Sequence, residues 1–307
     1  MSFWSTVVST QHAPLCQRIQ KQLQPAGPKP ATHSPMTDRP TLRPKEGWNV
    51  LHLFYRLSYG QWQLFSPAEK LAAKTNLTAL VQEARSTPAT QLLTFSIVSP
   101  KADLGFMLLT DDLHVANTLE KKLTLSLGAD VLEPVFSFYS MTERSEYTTT
   151  EEEFEDSLVN EKGLAKESPE FSEAMTEFRT RMSKYLQDRL YPNMPDWPVF
   201  CFYPMIKRRN PGQNWYSLPI ADRKKLMQGH ARVGRTFAGR VRQLITGSTG
   251  LDDAEWGVSL FAHDVFDIKS IVYEMRFDEV SAQYAEFGEF FVGLQLPLDQ
   301  LLARVLL

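Results

Sequence analysis

The chain runs twice through the same order of hydrophobic periods. Trp48 to Leu57 (WNVLHLFYRL) is dense in branched and aromatic residues and predicts a strand. Ser66-Pro67 reads as an N-cap with proline at the first helical position, opening a helix to about Ala84. Gln91 to Val98 and Leu104 to Leu109 predict two strands joined by a turn at Pro100–Asp103. Asp111-Asp112 starts a helix that reaches about Ser126 and is ended by Gly128. Val135 to Thr142 predicts a further strand. The order βαββαβ is that of a ferredoxin-like unit.

The second half repeats it. Val199 to Met205 predicts a strand and Ile220 to Arg232 a helix. Val241 to Thr246 and Trp256 to Phe261 predict strands joined through a turn at Gly250–Asp253, before a helix from Asp264 to Arg276 and a strand from Glu289 to Leu296. TDDLHVANTLEKKL and AHDVFDIKSIVYEM match in pattern, each an acidic helix start after a strand. The expected fold class is α+β, built from two ferredoxin-like βαββαβ repeats.

Two stretches fall outside the repeats. Residues 1–45, rich in Pro, Gln and basic residues, read as a flexible N-terminal extension, or as an arm docking on a neighbouring subunit. His12 and His33 lie there and receive no role. Thr148 to Glu177 is acidic and turn-rich and reads as a solvated, partly helical interdomain insertion. The expected division is therefore an N-terminal domain over 46–147, an insertion and linker over 148–188, and a C-terminal domain over 189–307.

At 307 residues with 43% apolar residues the chain is long enough for two sizeable cores. A net charge of −3 argues against bulk attraction to nucleic acid. No apolar run approaches the length of a membrane span, and no basic segment followed by an apolar core marks a secretory signal. Two cysteines, Cys16 and Cys201, without a CxxC pair, speak against a disulfide framework or structural zinc and fit a reducing cytoplasm.

The candidate chemistry gathers between Tyr203 and Gln243. An apolar strand end carries one phenol (Tyr203), a cationic loop follows (Lys207-Arg208-Arg209), His230 sits near the end of a helix, and Gln243 puts a neutral amide on the next strand. That set suits a large, flat, anionic ligand with a metal at its centre. The segments YPMIKRR, NWYSLP, GHARVGR, QLITGSTGLDDAEWGVSLFAHD and VYEMRFDEVSAQYAEFGEFFVGLQLP resemble the coproheme decarboxylases, the haem-synthase branch of the chlorite dismutase-like superfamily. The resemblance is dense from about Arg189 to Pro297, looser from Gly47 to Tyr147, and absent from the first 40 or so residues and from Thr148–Glu177.

The resemblance implies a dimeric α+β barrel subunit assembling as a homopentamer, with a haem-binding catalytic C-terminal half. It implies His230 as the axial ligand of iron, a role a neutral imidazole commonly fills. Glu274 is the expected acceptor for the other ring nitrogen. Chlorite dismutases proper carry an arginine where this chain has Gln243, so the distal residue here resembles the Firmicutes-type decarboxylases. A neutral amide cannot supply a cation to an oxyanion. Tyr203 is the expected redox residue, because a neutral phenol can lose an electron and a proton together. Arg189, Lys207, Ser281 and Tyr147 are the expected partners of the propionates, with Lys207 orienting the reactive one. Trp215 and Tyr216 are expected in a flap over the pocket, Arg208 and Arg209 in solvent, and Trp256 in the core.

The implied activity is peroxide-dependent decarboxylation of two propionates of Fe-coproporphyrin III to vinyls, giving haem b through a Tyr203 radical. Hydrogen peroxide is the implied oxidant and a ferrochelatase the implied donor of coproheme. Chlorite dismutation or haem peroxidase activity competes with this reading and is disfavoured by Gln243. A haem carrier or sensor competes from outside enzymology and needs neither Tyr203 nor Lys207.

Overall fold

Strand β1 (Asn49–Leu57) opens the first repeat and presents alternate residues to two different cores. The computed structural model of the chain describes residues 41–307, so the N-terminal extension up to residue 40, with His12 and His33, lies outside the described residues. After β1 come α1 (Tyr59–Leu64), α2 (Pro67–Ser86), β2 (Thr90–Ile97), β3 (Leu104–Thr110), α3 (Leu113–Leu125) and β4 (Leu132–Met141). Ser66 caps α2 in a reciprocal box with Glu69, Asp112 caps α3, and Gly128 follows α3 at φ +109°, as its sequence position demands.

Two helices, α4 (Glu151–Asn160) and α5 (Pro169–Leu190), join the halves. The second repeat is β5 (Val199–Lys207), the short hairpin β6 (Arg209–Asn210) and β7 (Gln213–Asn214), α6 (Ile220–Arg235), β8 (Val241–Gly247), β9 (Trp256–Ala262), α7 (Val265–Met275), α8 (Glu279–Tyr284), β10 (Ala285–Phe287), β11 (Phe291–Gln295) and α9 (Leu298–Arg304).

The strands of each repeat lie in the ferredoxin-like order, β4-β1-β3-β2 and β11-β5-β9-β8. Strand β4 then pairs with β8, and β11 with β2, so the two repeats join at both sides and the sheet closes. Closure removes the free edges that an open sheet would expose. The fold is thus the two ferredoxin-like repeats that the periodicity predicts, closed into the α+β barrel that the family resemblance implies.

Two departures from the sequence reading have local causes. Strand β4 begins at Leu132, ahead of the expected Val135, because Pro134 is taken into the ladder opposite Tyr55 where the register shifts. The expected strand Glu289–Leu296 is one part of a line broken into β10 and β11, both pairing with β5. The break faces Pro204, which has no N–H to offer, and a side chain at Gly288 would stand 2.6 Å from the Pro204 ring.

Alternation sorts the cores. On β1, Leu53, Tyr55 and Leu57 face α2, α3 and α9, while Val50 and Phe54 face the barrel interior. The interior is aromatic: Phe95 stacks on Phe200 at 3.9 Å and Phe54 on Phe291 at 4.1 Å. The outer face of the second repeat carries a third cluster, including Cys201, Tyr203, Met205, Val258 and Leu260, under α7.

His52 is a titratable group of β1 set among these interior aromatics. It is 1% exposed, stacks on Phe202 at 4.0 Å, and its Nε2 lies 2.8 Å from Ser259 Oγ while Nδ1 has no partner among the described residues. Burial depresses its pKa from 6.5 to about 3. The unfolded chain therefore takes up a proton at His52 below pH 6.5 while the folded barrel does not until about pH 3. Stability from this site is lost as pH falls through that window, by up to about 1.4 kcal/mol per pH unit. In urea unfolding between pH 4 and 7, His52→Phe should flatten the pH slope by up to about one proton; an unchanged slope would mean that His52 is protonated inside the barrel.

Candidate active site

The outer face of the second repeat, roofed by α6 and α7 and flanked by α5, encloses a cavity of ≈ 1340 Å³. Period-two alternation selects its floor: Tyr203, Met205 and Lys207 from β5, Gln243 and Ile245 from β8, and Trp256, Val258 and Leu260 from β9. In the ladder Tyr203 lies opposite Val258, itself opposite Ile245, while Leu260 lies opposite Gln243. Tyr203 and Gln243 thus sit two strands and two residues apart, about 12 Å between Cα atoms.

Tyr203 is 5% exposed, with its ring stacked on Phe290 at 4.5 Å and near Phe287 at 5.5 Å. Burial pushes its phenol well above the ordinary range. The phenol is therefore neutral at ordinary pH. Burial also pushes the neighbouring Cys201 thiol up to about 12, which leaves it inert as a nucleophile.

Lys207, four residues on and on the same strand face, is 2% exposed. Its backbone N–H donates to Glu255 Oε2 at 2.8 Å. Its Nζ has no hydrogen-bond partner among the described residues and lies 4.1 Å from the Trp215 ring centroid and 4.0 Å from that of Trp256. Burial lowers its pKa to about 7, against the opposing pull of Asp278, Glu255 and Glu146.

Helix α6 spans the cavity with a face of small and polar residues: Met227, His230, Ala231, Gly234 and Ala238 just beyond its end all line the space. None of its side chains is fully buried. A Cβ at Gly234 would lie 3.4 Å from Gln243 Nε2, so glycine here leaves room between helix and floor. His230 Nδ1 lies 2.7 Å from Asp278 Oδ2, which leaves Nε2 free to bind a metal. Asp278 also caps α8, accepting from Ser281 N at 3.1 Å and Ser281 Oγ at 3.2 Å. Its carboxyl pKa is lowered in spite of burial, because His230 and Ser281 donate to the charged form.

The expected partner of His230 is thereby corrected. Glu274 is exposed on α7 and absent from the cavity wall, while Asp278 takes the contact. The signal was available in FDEVS, an acidic N-cap before a short helix, but a six-residue helix has too few periods to read.

The other expected site residues come together. Tyr147, Arg189, Tyr203, Lys207, His230, Gln243 and Ser281 all line the one cavity. Arg189, on the last turn of α5, donates from Nε to the Glu143 carbonyl at 2.8 Å. The Tyr147 hydroxyl accepts from Trp215 Nε1 at 3.3 Å. Trp215 is 1% exposed, hence a wall residue, whereas its neighbour Tyr216 is exposed. Trp256, expected in the core, lies in the cavity wall against Lys207. Arg208 is tied to α8 and β10, donating toward the Ala282 and Gln283 carbonyls and pairing with Glu286 at 3.4 Å. The segment read as a solvated insertion and linker also contributes: Phe178, Arg181, Met182 and Tyr185 form, with Arg189 just beyond that segment, one face of α5 on the cavity.

A closed α+β barrel with a histidine-bearing helix over a sheet floor defines the class, and the family model for chlorite dismutase matches residues 70–296. The chain belongs to the chlorite dismutase family. A heme-binding protein from Thermus thermophilus is similar at 38% identity over 87% of this chain and 98% of that one, with a TM-score of 0.71. A chlorite dismutase variant from Candidatus Nitrospira defluvii superposes with a TM-score of 0.64 at 16% identity, over 85% and 97% of the two chains. The imidazole complex of the chlorite dismutase from that organism gives 0.63 at 15% identity, over 85% and 96%. At these last identities the likeness concerns the fold. Among the described residues no helix is long and apolar enough to cross a membrane.

Lys207 generates a prediction of definite sign. Its folded pKa of about 7 lies below the unfolded 10.5, so the unfolded chain holds a proton that the folded chain releases, and stability rises with pH across that window. Lys207→Met should stabilise the ligand-free protein at pH 7, with an upper bound on the order of 4 kcal/mol. The gain should shrink as pH rises and vanish only above the unfolded pKa of 10.5. Denaturant unfolding of both proteins at pH 7, 8.5 and 10 measures it; a gain independent of pH would mean that the amine titrates normally.

Proposed function

We propose that the protein is a peroxide-dependent coproheme decarboxylase, which converts two propionates of Fe-coproporphyrin III to vinyls and releases haem b. The observation that carries the reading is the pairing on β5 of a buried phenol and a buried lysine whose ammonium has no hydrogen-bond partner among the described residues, both in the wall of one cavity. A haem carrier has no use for either.

The residues fit the substrate. The floor beneath α6 is apolar, with Ile245, Val258, Leu260 and Met275, and suits the face of a macrocycle. Lys207, Arg189, Ser281 and Tyr147 stand in the same wall and suit its carboxylates. His230 offers Nε2 while Asp278 fixes the other nitrogen. The heme-binding relative at 38% identity supports a tetrapyrrole in this cavity.

The bound iron supplies the oxidising power drawn from peroxide. Each propionate, as carboxylate, with one peroxide and one proton, becomes a vinyl group, carbon dioxide and two waters, so two peroxides are used per haem b. The chain's own part is to bind, orient and relay. Tyr203 gives up an electron and a proton together, and the radical takes hydrogen from the β-carbon of the propionate. Loss of one further electron and of carbon dioxide completes the vinyl. Lys207 orients the reactive carboxylate by a charge-assisted hydrogen bond, a contact of roughly 1.5–3 kcal/mol. Gln243 offers a neutral amide where a chlorite dismutase presents a cation to an oxyanion.

Tyr203→Phe tests the relay. A space-filling tyrosine would lose little, and product would form at nearly the wild-type rate. As relay, its loss should leave Fe-coproporphyrin III affinity intact and cut decarboxylation by about two orders of magnitude or more, on the scale of removing a positioned proton-transfer group. Product masses against time at fixed peroxide decide it. With chlorite as substrate, the wild type should evolve little oxygen; rapid evolution would transfer the protein to the chlorite-degrading branch.

A further inference from the structure

The ammonium of Lys207 is held in an unusual way. Two indoles from separate elements face it, one from the turn after β7 and one from the start of β9, with ring centroids 4.1 and 4.0 Å from Nζ. A lysine on a four-carbon stem otherwise samples many rotamers. We propose that Trp215 and Trp256 are positioning residues: they form an aromatic box that fixes the Lys207 ammonium, and so set where the carboxylate it pairs with stands relative to Tyr203.

Both indoles are themselves fixed. Trp215 is 1% exposed, donates from Nε1 to the Tyr147 hydroxyl at 3.3 Å and packs edge-on against Tyr284 at 5.5 Å. Trp256 lies in the β5–β9 ladder opposite Met205, two residues before Lys207 on β5. The residue before it, Glu255, is 5% exposed and accepts the Lys207 backbone N–H at 2.8 Å. The dipeptide Glu255-Trp256 therefore holds Lys207 at both ends, its backbone by the carboxylate and its head by the ring.

The box leaves the lysine free to bind. Asp278, Glu255 and Glu146 act on it through space, yet Nζ bonds to none of them and keeps three N–H donors for an incoming acceptor. Indole faces attract a cation without consuming its hydrogen bonds. A carboxylate arriving from the cavity can thus pair with the ammonium where it already stands. Along β5 the Lys207 Cα lies about 13 Å from that of Tyr203, a separation fixed by the strand. Fixing the head as well fixes the line from carboxylate to phenol, and an error of about 1 Å in such a line can cost about a hundredfold in rate.

The catalytic consequence rests on the decarboxylase reading; the box itself does not, and the test separates them. In the ligand-free protein, ring currents from two indoles should move the Lys207 ε-methylene NMR signal upfield of ordinary lysines, with assignment by its disappearance in Lys207→Met. Trp215→Leu and Trp256→Leu should each move it part-way back, and the double variant should return it. An ordinary wild-type position overturns the box whatever the protein catalyses. With Fe-coproporphyrin III and peroxide, each Leu variant should lower the decarboxylation rate constant by about tenfold, with substrate affinity held within about threefold, and Trp→Phe should restore most of it. In a Lys207→Met background the Trp→Leu changes should cost nothing further. A full additional loss in that background would overturn the positioning role, because the indoles would then act without the lysine.

Discussion

Strand β5 is the member on which the site depends. It pairs with β9 on one side and with β10 and β11 on the other, and by these pairings the barrel closes. Its even residues, Phe200 and Phe202, enter the aromatic interior, while its odd ones, Tyr203, Met205 and Lys207, line the cavity. A slip of one residue would send the phenol and the lysine into a core of phenylalanines. The register is secured by the stack of Phe95 on Phe200 at 3.9 Å and of His52 on Phe202 at 4.0 Å. The cost of such a slip in the buried interior keeps Tyr203 aimed outward.

The helix over the cavity follows a different logic. Helix α6 carries Gly229 and Gly234 within its length, residues that weaken an isolated helix by about 1 kcal/mol each. It also buries none of its side chains completely. Half-buried Leu226, Met227 and Val233 pack against the neighbouring clusters, and polar contacts add to them: His230 to Asp278 at 2.7 Å, Arg223 to Glu146 at 3.4 Å, and the pair of Lys224 with Glu153 on α4. Exposed ion pairs contribute little individually. The His230–Asp278 contact, with an aspartate side chain only 5% exposed, is the better anchor, and it ties the helix to the N-cap of α8 and to Ser281. Of the two glycines, Gly234 lies in the cavity wall, where it keeps the helix clear of the Gln243 amide on the floor.

How much of this could be read from the sequence depended on the range of the interaction. The repeat order, the caps Ser66, Asp112 and Asp264, and the end at Gly128 were legible because each is written within a few residues. The break between β10 and β11 was not, because its cause, Pro204, lies far back in the chain on the partner strand. The cavity residues carried by motif, from Tyr203 to Gln243, do line one space. Glu274 failed because helical spacing alone cannot say which side of α7 meets His230; the face with Ile268, Ile271 and Met275 is buried and Glu274 lies off it. The role of α5 was hidden by composition. Its polar residues outnumber the stripe of Phe178, Met182 and Tyr185 that meets the cavity.

Burial acts on the two cavity-facing titratable groups of β5 in opposite directions. It raises the pKa of the Tyr203 phenol, which stays neutral, and lowers that of the Lys207 amine to about 7, so that ammonium and amine coexist near pH 7 in the ligand-free chain. A carboxylate entering the cavity changes only one of them. Paired with an anion, the ammonium form is favoured further, because an opposite charge within a few ångströms stabilises the cation. The phenol gains nothing from the same anion, which opposes its ionisation further. Substrate binding would therefore widen the difference between the groups: a cation fixed on the carboxylate, and a phenol held neutral beside it.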